Sequence, residues 1–432
     1  MSTPTATKKV SVITLGCSKN TVDSERLLNL LNENGIELTK KTDDANIIII
    51  NTCGFIEAAK QESINTILSA CEMKNEYNVE KVYVFGCLSE RYKTELEKEI
   101  PEVDLFFGLE AYQDILESIK PDYKKELTGE RFLSTPKHYA YLKISEGCNN
   151  GCSFCAIPLI RGKHRSTPIE TLVEEATNLA NKGVKELIII GQDTTYYGLD
   201  IYKKRTISKL LEELSKIEGI EWIRLLYTYP SNFPIDLLET IKCNPKICSY
   251  IDIPLQHISN NVLSSMDRKI SAEQTKALIS LLRDSIPNIK IRTTFIVGYP
   301  TETEKDFKEL LQFIEDTQFD RVGAFTYSVE EDTKSFKLGD PITEAEKQNR
   351  LNQLMELQQN ISADLNEKRI GEILKVIVDS LEGNYFVCRS EFESPEVDGE
   401  ILIEKSANLK IGEFYEAEII DSNEYDLYAK IT

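Results

Sequence analysis

Three cysteines, Cys148, Cys152 and Cys155, fall within eight residues in SEGCNNGCSFCAIP, with three residues and then two between them. Gly147, Asn149, Asn150 and Gly151 allow the chain to wrap tightly there, so the three thiolates can bind three irons of a 4Fe-4S cluster and leave the fourth open to a ligand. A structural zinc ion would draw on the same residue type, but such sites are almost always fully ligated. No neighbouring cysteine or histidine completes a tetrahedron, and His164 lies in a basic loop. Three more cysteines, Cys17 in TLGCSKN, Cys53 in NTCGF and Cys87 in FGCLSE, each stand directly after an apolar run of strand character. One alone would read as a small buried hydrophobe. Three at equivalent positions predict a second iron-binding mouth rather than packing. Cys71 falls in a helical pattern, Cys388 in a strand, and Cys243 and Cys248 flank a proline-containing turn, so none of these is given a role. The histidines His138, His164 and His257 are too scattered for a metal site or a nucleophile relay, and His257, after a strand end, reads as a satisfied polar residue.

The elements that must position these thiols follow from hydrophobic periodicity. From Lys9 to about Lys120 short strands alternate with amphipathic helices: VSVITLG, a helix near Ser24 to Glu33, NIIIINTC, a helix near Ile56 to Lys74, KVYVFGC and a further helix. That rhythm predicts a parallel sheet covered by helices, which would carry Cys17, Cys53 and Cys87 to one edge. The stretch Lys120 to Lys137, with Pro121, Gly129 and Pro136 among charges, reads as a linker. A second α/β series begins at Tyr139, with strands YLKIS, ELIIIG, WIRLLY, YIDIP, IRTTFIVG and RVGAFTY and helical stretches such as Ile169 to Asn181 and Glu304 to Thr317. Six βα units predict a partial (βα)6 barrel. Cys148 follows its first strand, Gly191, Gln192 and Asp193 end the second, Gln256 and His257 follow the fourth, and Gly298 ends the fifth. All would ring one mouth, on the face where barrel enzymes build active sites. A polar helix from about Thr343 to Lys368 leads out to five short β segments after Ile370, which fit a small β-barrel. The expected architecture is therefore α/β in three domains: a parallel-sheet domain over residues 1–135, the partial barrel over 136–368 and the five-stranded barrel over 369–432.

A length of 432 residues suits two or three domains, each large enough to bury a core. The stretch MSTPTATKKVSVITLG lacks the apolar run of a secretory signal, and apolar stretches such as Ile47 to Ile50 are far too short to cross a bilayer, so a cytoplasmic protein is expected. Ten cysteines without an export signal point to metal or redox chemistry rather than disulfides. With 51 basic against 71 acidic residues, the net charge of -20 works against unaided binding to a phosphate backbone and favours a basic protein partner.

The triplet Cys148, Cys152 and Cys155 resembles that of the radical S-adenosylmethionine superfamily. The resemblance implies that the open iron is chelated by the methionine amino and carboxylate groups of S-adenosylmethionine, and that one electron then cleaves the sulfonium to a 5'-deoxyadenosyl radical. It also implies cofactor contacts at Phe154, near the adenine, at the backbone of Gly191 and Gln192, near the methionine amine, and at Asp193, Gln256, Arg292 and Gly298. A three-cysteine domain, a radical domain and a terminal barrel of the TRAM type, in that order, are similar to the methylthiotransferase family over nearly the whole chain. In that family the N-terminal cluster holds the sulfur to be inserted and the TRAM barrel contacts the substrate. Two 4Fe-4S clusters, S-adenosylmethionine and an electron donor such as flavodoxin or ferredoxin are thereby implied.

The segments GCSKNTVDSE, NTCGFIEAAKQES, GCLSERY and RSEFESPEVDG resemble the branch that modifies the β-carbon of an aspartate in small-subunit ribosomal protein uS12, rather than the branch that modifies adenosine in tRNA. From Ile370 to Thr432, Lys375, Arg389, Lys405, Lys410 and Lys430 face fifteen acidic residues, a net charge of -10 that should repel tRNA and attract a basic protein. Acidic side chains that merely keep a small barrel soluble are the alternative. Ser18 stands where proline is common after the first cysteine, and Thr301 where glycine is common after the fifth strand; neither is a proposed ligand. A non-enzymatic iron–sulfur sensor that binds nucleic acid through its barrel is the reading from another class, and the vacant iron and the barrel's charge argue against it.

Overall fold

The computed structural model describes residues 8–123, 131–406 and 408–432. Its first unit is a parallel sheet in the order β2-β1-β3-β4-β5, built from β1 (Lys9–Thr14), β2 (Glu37–Leu38), β3 (Ile47–Thr52), β4 (Lys81–Gly86) and β5 (Leu105–Phe106). Every residue of β3 is buried, as an unbroken apolar run demands when helices cover both faces of a sheet. Those helices are α1 (Ser18–Glu33), α2 (Glu57–Glu76), α3 (Cys87–Glu99) and α4 (Tyr112–Ile119). The helix expected from Ser24 starts at Ser18 because Cys17, in extended backbone, is its N-cap. β2 and β5 span two residues each, too short to show a period in sequence.

The second unit holds six parallel strands in two sheets, β10-β9-β6 and β11-β12-β13: β6 (Tyr139–Lys143), β9 (Glu186–Ile190), β10 (Trp222–Leu225), β11 (Tyr250–Asp252), β12 (Lys290–Val297) and β13 (Arg321–Thr326). A bridge between Ile223 and Ile247 joins the two sheets, and the ring stays open between β13 and β6. Two-residue strands β7 (Ser145–Glu146) and β8 (Arg165–Ser166) pair antiparallel and bracket the cysteine triplet. The outer helices are α5 (Ile157–Ile160), α6 (Ile169–Asn181), α7 (Ile207–Ser215), α8 (Asp236–Cys243), α9 (Asn260–Ser265), α10 (Ala272–Ser285), α11 (Glu304–Thr317) and α12 (Glu344–Glu367). Their apolar faces and the outward face of the strands form one core, with Leu172, Leu210, Ile251 and Phe295 fully buried. Capping boxes at Ser271 and Thr303 fix where α10 and α11 begin.

The third unit is a closed barrel in the order β14-β15-β16-β18-β17, from β14 (Ile373–Glu382), β15 (Tyr385–Ser390), β16 (Ile401–Glu404), β17 (Phe414–Ser422) and β18 (Leu427–Ile431). It seats against the starts of the radical-domain strands. Arg224 of β10 and Arg389 of β15 share the fully buried Glu186 at 2.8 and 2.9 Å. The segment after β15 continues along this seam: Tyr141 donates to Glu396 at 2.9 Å, Tyr250 to Asp398 at 2.7 Å, and Glu393 pairs with Arg369 at 2.7 Å. Asp379 likewise meets His138 at 2.7 Å. This narrows the charge argument from sequence, because Asp379, Glu393 and Asp398 face the radical domain and not a partner.

The linker expected from Lys120 to Lys137 holds no helix or strand among its described residues. Residues 124–130 lie outside the described residues, but Arg131 is buried, bonded to Glu25 of α1 and, at 2.9 Å, to Glu175 of α6, so its end of the segment is fastened.

Candidate active site at a domain junction

In the N-terminal sheet β1, β3 and β4 are neighbours, and their carboxyl ends carry Cys17, Cys53 and Cys87 to one edge. Cys17 is exposed while Cys53 and Cys87 are buried. Gly16 makes room at this edge: with φ of +87°, it would put a Cβ 2.9 Å from Cys53 Sγ. Burial pushes the Cys87 thiol up to about 12, Arg161 pulls it back, and the Cys17 and Cys53 thiols add to the rise. Burial also raises Cys53. Among the described residues no three His, Cys, Asp or Glu converge tightly enough to hold a single metal ion. A 4Fe-4S cluster does not need that convergence, since each thiolate binds a different iron.

The second thiol set sits after β6, at the carboxyl end of the open barrel. Its loop is pinned on several sides: Cys148 N–H donates to Gly162 O at 3.1 Å, Ser153 N–H to Met266 O at 2.9 Å, and Asn150 Nδ2 to Asp193 Oδ2 at 2.8 Å. Cys152 Sγ lies 3.6 Å from the Tyr229 hydroxyl and accepts from Arg268 Nη1 at 3.5 Å. Burial raises the Cys148 thiol to about 11 and the Cys155 thiol to about 12. Soft, half-buried thiols of this kind release protons to iron rather than to water.

Gly191, Gln192 and Asp193 follow β9, Gln256 follows β11 and Gly298 follows β12, all at the same mouth. Gly191 has no space for a Cβ, which would lie 2.8 Å from Ser145 Oγ. The buried acceptors Ser145 Oγ and Gln192 Oε1 have no partner within the protein. Unspent acceptors at a strand-end cradle fit the ammonium of an amino-acid ligand, and the thiol triplet fits an iron–sulfur cluster. Asp193 caps the turn at Thr194 and accepts from Tyr196 N–H at 3.1 Å. Phe154 packs by the buried cluster of Met266, Tyr299 and Tyr327. Arg292 lies lower in its strand, paired with Asp252 at 3.0 Å and Asp398 of the terminal barrel at 3.5 Å. His257 is buried, accepting from Ser259 N–H at 3.0 Å beside Glu302.

The two mouths touch. Cys87 packs in one apolar cluster with Leu109, Ala156 and Ile160, of which Ala156 directly follows Cys155 and Ile160 ends α5. Alongside runs a buried ionic network that sequence reasoning missed. Arg161 donates to Asn20 at 2.7 Å and Asp23 at 3.1 Å on α1, and to both oxygens of Glu146 at 3.0 Å. Lys143 bonds Asp23 and, at 2.8 Å, Glu146, which also accepts from Gln192 at 3.0 Å. Burial would raise the Glu146 carboxyl, but Lys143 and Arg161 outweigh it and hold it at about 2. The sequence signal was slight: one arginine in the basic run after the triplet.

Comparison with known proteins agrees with this geometry. Family models match at residues 9–108 (uncharacterized protein family UPF0004), 142–314 (Radical SAM superfamily) and 370–432 (TRAM domain). Among solved structures, the radical S-adenosylmethionine methyltransferase TsrM from Kitasatospora setae aligns with TM-score 0.54 at 13% identity, covering 74% of this chain and 75% of that one. The cobalamin-dependent radical enzyme OxsB aligns at 0.52 and 14%, covering 81% and 56%. At those identities they share the fold. Fold and site together define a radical S-adenosylmethionine enzyme, whose cofactors are S-adenosylmethionine and an iron–sulfur cluster.

Curated relatives named ribosomal protein uS12 methylthiotransferase RimO are 52% identical in Christiangramia forsetii, over 98% of this chain and 94% of that one. In Flavobacterium johnsoniae the figure is 54%, over 98% of both. The chain belongs to the RimO methylthiotransferase family.

Proposed function

We propose that this chain is a cytoplasmic enzyme that inserts a methylthio group at the β-carbon of an aspartate in the basic ribosomal protein uS12. In this reading Cys148, Cys152 and Cys155 hold one 4Fe-4S cluster, with S-adenosylmethionine on its open iron, and Cys17, Cys53 and Cys87 hold a second that presents the sulfur. When bound, these groups supply a one-electron cleavage whose radical product takes hydrogen from an unactivated carbon, and a sulfur to replace it.

The observation that carries the reading is the packing of Cys87 against Ala156 and Ile160, which makes the two thiol sets neighbours. A carbon radical reacts with whatever reaches it first, so the sulfur must be close and water kept away. The chain's own part is positional. Asn150 and Asp193 hold the triplet loop to β9, Tyr229 and Arg268 steady Cys152, and Ser145 and Gln192 offer acceptors to the methionine ammonium. Arg161 and Lys143, both bonded to Asp23 of α1, fix the distance between the domains. The barrel's outward acids, among them Glu400, Glu404 and Glu416, favour a basic protein over tRNA. An external one-electron donor of the flavodoxin or ferredoxin type completes the cycle.

Loss of Cys152 should abolish S-adenosylmethionine cleavage, read as 5'-deoxyadenosine released by the anaerobically reconstituted Cys152→Ala protein. Loss of Cys53 should leave that release and stop the methylthio mass increment on uS12 in mass spectrometry. A Cys53→Ala protein that methylthiolates at the normal rate would refute the division of labour, and an increment found on tRNA instead would refute the substrate.

A further inference from the structure

A groove of about 400 Å³ opens on the flank of the radical domain, between the loop leading into α8 and the start and outer face of α10. Pro230, Phe233 and Ile235 form one side, and Lys269, Ile270 and Leu281 the other. Two features set it apart. Its lining carries a single charge, the Lys269 cation, on a chain of net charge -20. It also leaves large apolar side chains in water, with Ile235 57% and Leu281 38% exposed.

Both walls are continuous with the residues that touch Cys152. Pro230 follows Tyr229, whose hydroxyl lies 3.6 Å from Cys152 Sγ, and Lys269 follows Arg268, whose guanidinium donates to the same sulfur at 3.5 Å. The groove is thus one side-chain length and one Cα step of about 3.8 Å from that sulfur. The walls are laced together: the Tyr229 hydroxyl donates to Arg268 O at 3.1 Å, and the Ser231 hydroxyl to Lys269 O at 2.9 Å. Asn232 and Lys269 are both held at φ of +55°, a conformation that non-glycine residues keep only where the surroundings impose it.

The geometry points to this groove as the docking surface for a small, acidic one-electron carrier protein, an inference that rests on the radical-enzyme function proposed above. The enzyme consumes one electron per cleavage, and tunnelling through protein needs a short gap, which the Tyr229 and Arg268 contacts provide. An acidic carrier is repelled by most of this surface and meets at the groove an apolar face with a cation on its rim. In the step, the carrier's reduced cofactor loses one electron and the cluster held by Cys152 gains it; no bond is made or broken between the proteins.

The test uses reconstituted holoenzyme and reduced flavodoxin as the probe. Lys269→Glu with Leu281→Asp, and separately Ile235→Glu, lie on the surface and outside the cysteine loop. Each is expected to weaken flavodoxin binding in calorimetry, and to slow flavin oxidation in stopped-flow absorbance, by about tenfold or more, while dithionite-driven 5'-deoxyadenosine release stays within about twofold of the parent. Unchanged flavodoxin affinity and transfer rate would overturn the inference. So would an equal loss under dithionite, or a loss confined to self-association of the chain. If the parent holoenzyme releases no 5'-deoxyadenosine under dithionite, the radical function itself fails, and the docking inference with it.

Discussion

Arg161 joins the two halves of the site through one guanidinium. Only 5% exposed, it reaches α1 through Asn20 and Asp23 and holds Glu146 two residues before Cys148. Its rigid fork can serve several acceptors at once, and an ammonium cannot. Arg161→Gln should destabilise the junction by about 3–5 kcal/mol by leaving Asp23 and Glu146 to share the single cation of Lys143, and Arg161→Lys should recover only part of that. The check is the midpoint of the calorimetric transition that includes the N-terminal domain. The six cysteines were visible in sequence because spacing and strand ends mark them. Arg161, Tyr229 and Arg268 were not, because each gains its role from a partner remote in the chain, and an arginine or tyrosine alone carries no period or spacing.

At the scale of elements, the N-terminal mouth depends on how tightly each strand turns into its helix. Gly16 lies between β1 and the Cys17 cap of α1, where a side chain would collide with Cys53. Gly16→Ala should therefore lower bound iron and sulfide from about two clusters to about one, with 5'-deoxyadenosine release preserved, as measured by metal and sulfide analysis. Helices of the radical domain were legible to the residue: α6 and α11 run Ile169–Asn181 and Glu304–Thr317, as periodicity and the flanking Pro168 and Thr303 indicate. The first helix was read six residues short. Its opening turn, SKNTVD, is polar, and its burial comes from the junction, where Lys19, Asn20 and Asp23 are all covered.

Across the whole molecule, the terminal barrel was legible as five short strands, but its seat was not. The stretch RSEFESPEVDG, which carries part of the family resemblance, forms the seam with the radical domain. Glu393 there is 1% exposed. Burial would raise its carboxyl, but Arg369 and Arg321 outweigh that and hold it at about 2, below the ordinary 4.5. A carboxyl depressed on folding contributes stability that is present above its unfolded value and lost as pH falls through the folded one. For Glu393 that is about 3 kcal/mol at neutral pH, lost between about pH 4.5 and 2. Glu393→Gln should lower the unfolding midpoint at pH 7 and flatten its fall over that acid range, as thermal melts at stepped pH would record.

The seating of the barrel also sets a ruler. It bolts to the amino ends of the strands, through Tyr139, Glu186, Trp222 and Tyr250, while the thiols and Gly191, Gln256 and Gly298 stand at the carboxyl ends. The longest strand between, β12, has eight residues, a height of about 26 Å. If the barrel holds the client proposed above, a grip at the foot of this column and chemistry at its crown set the reactive tip at that fixed remove from its handle.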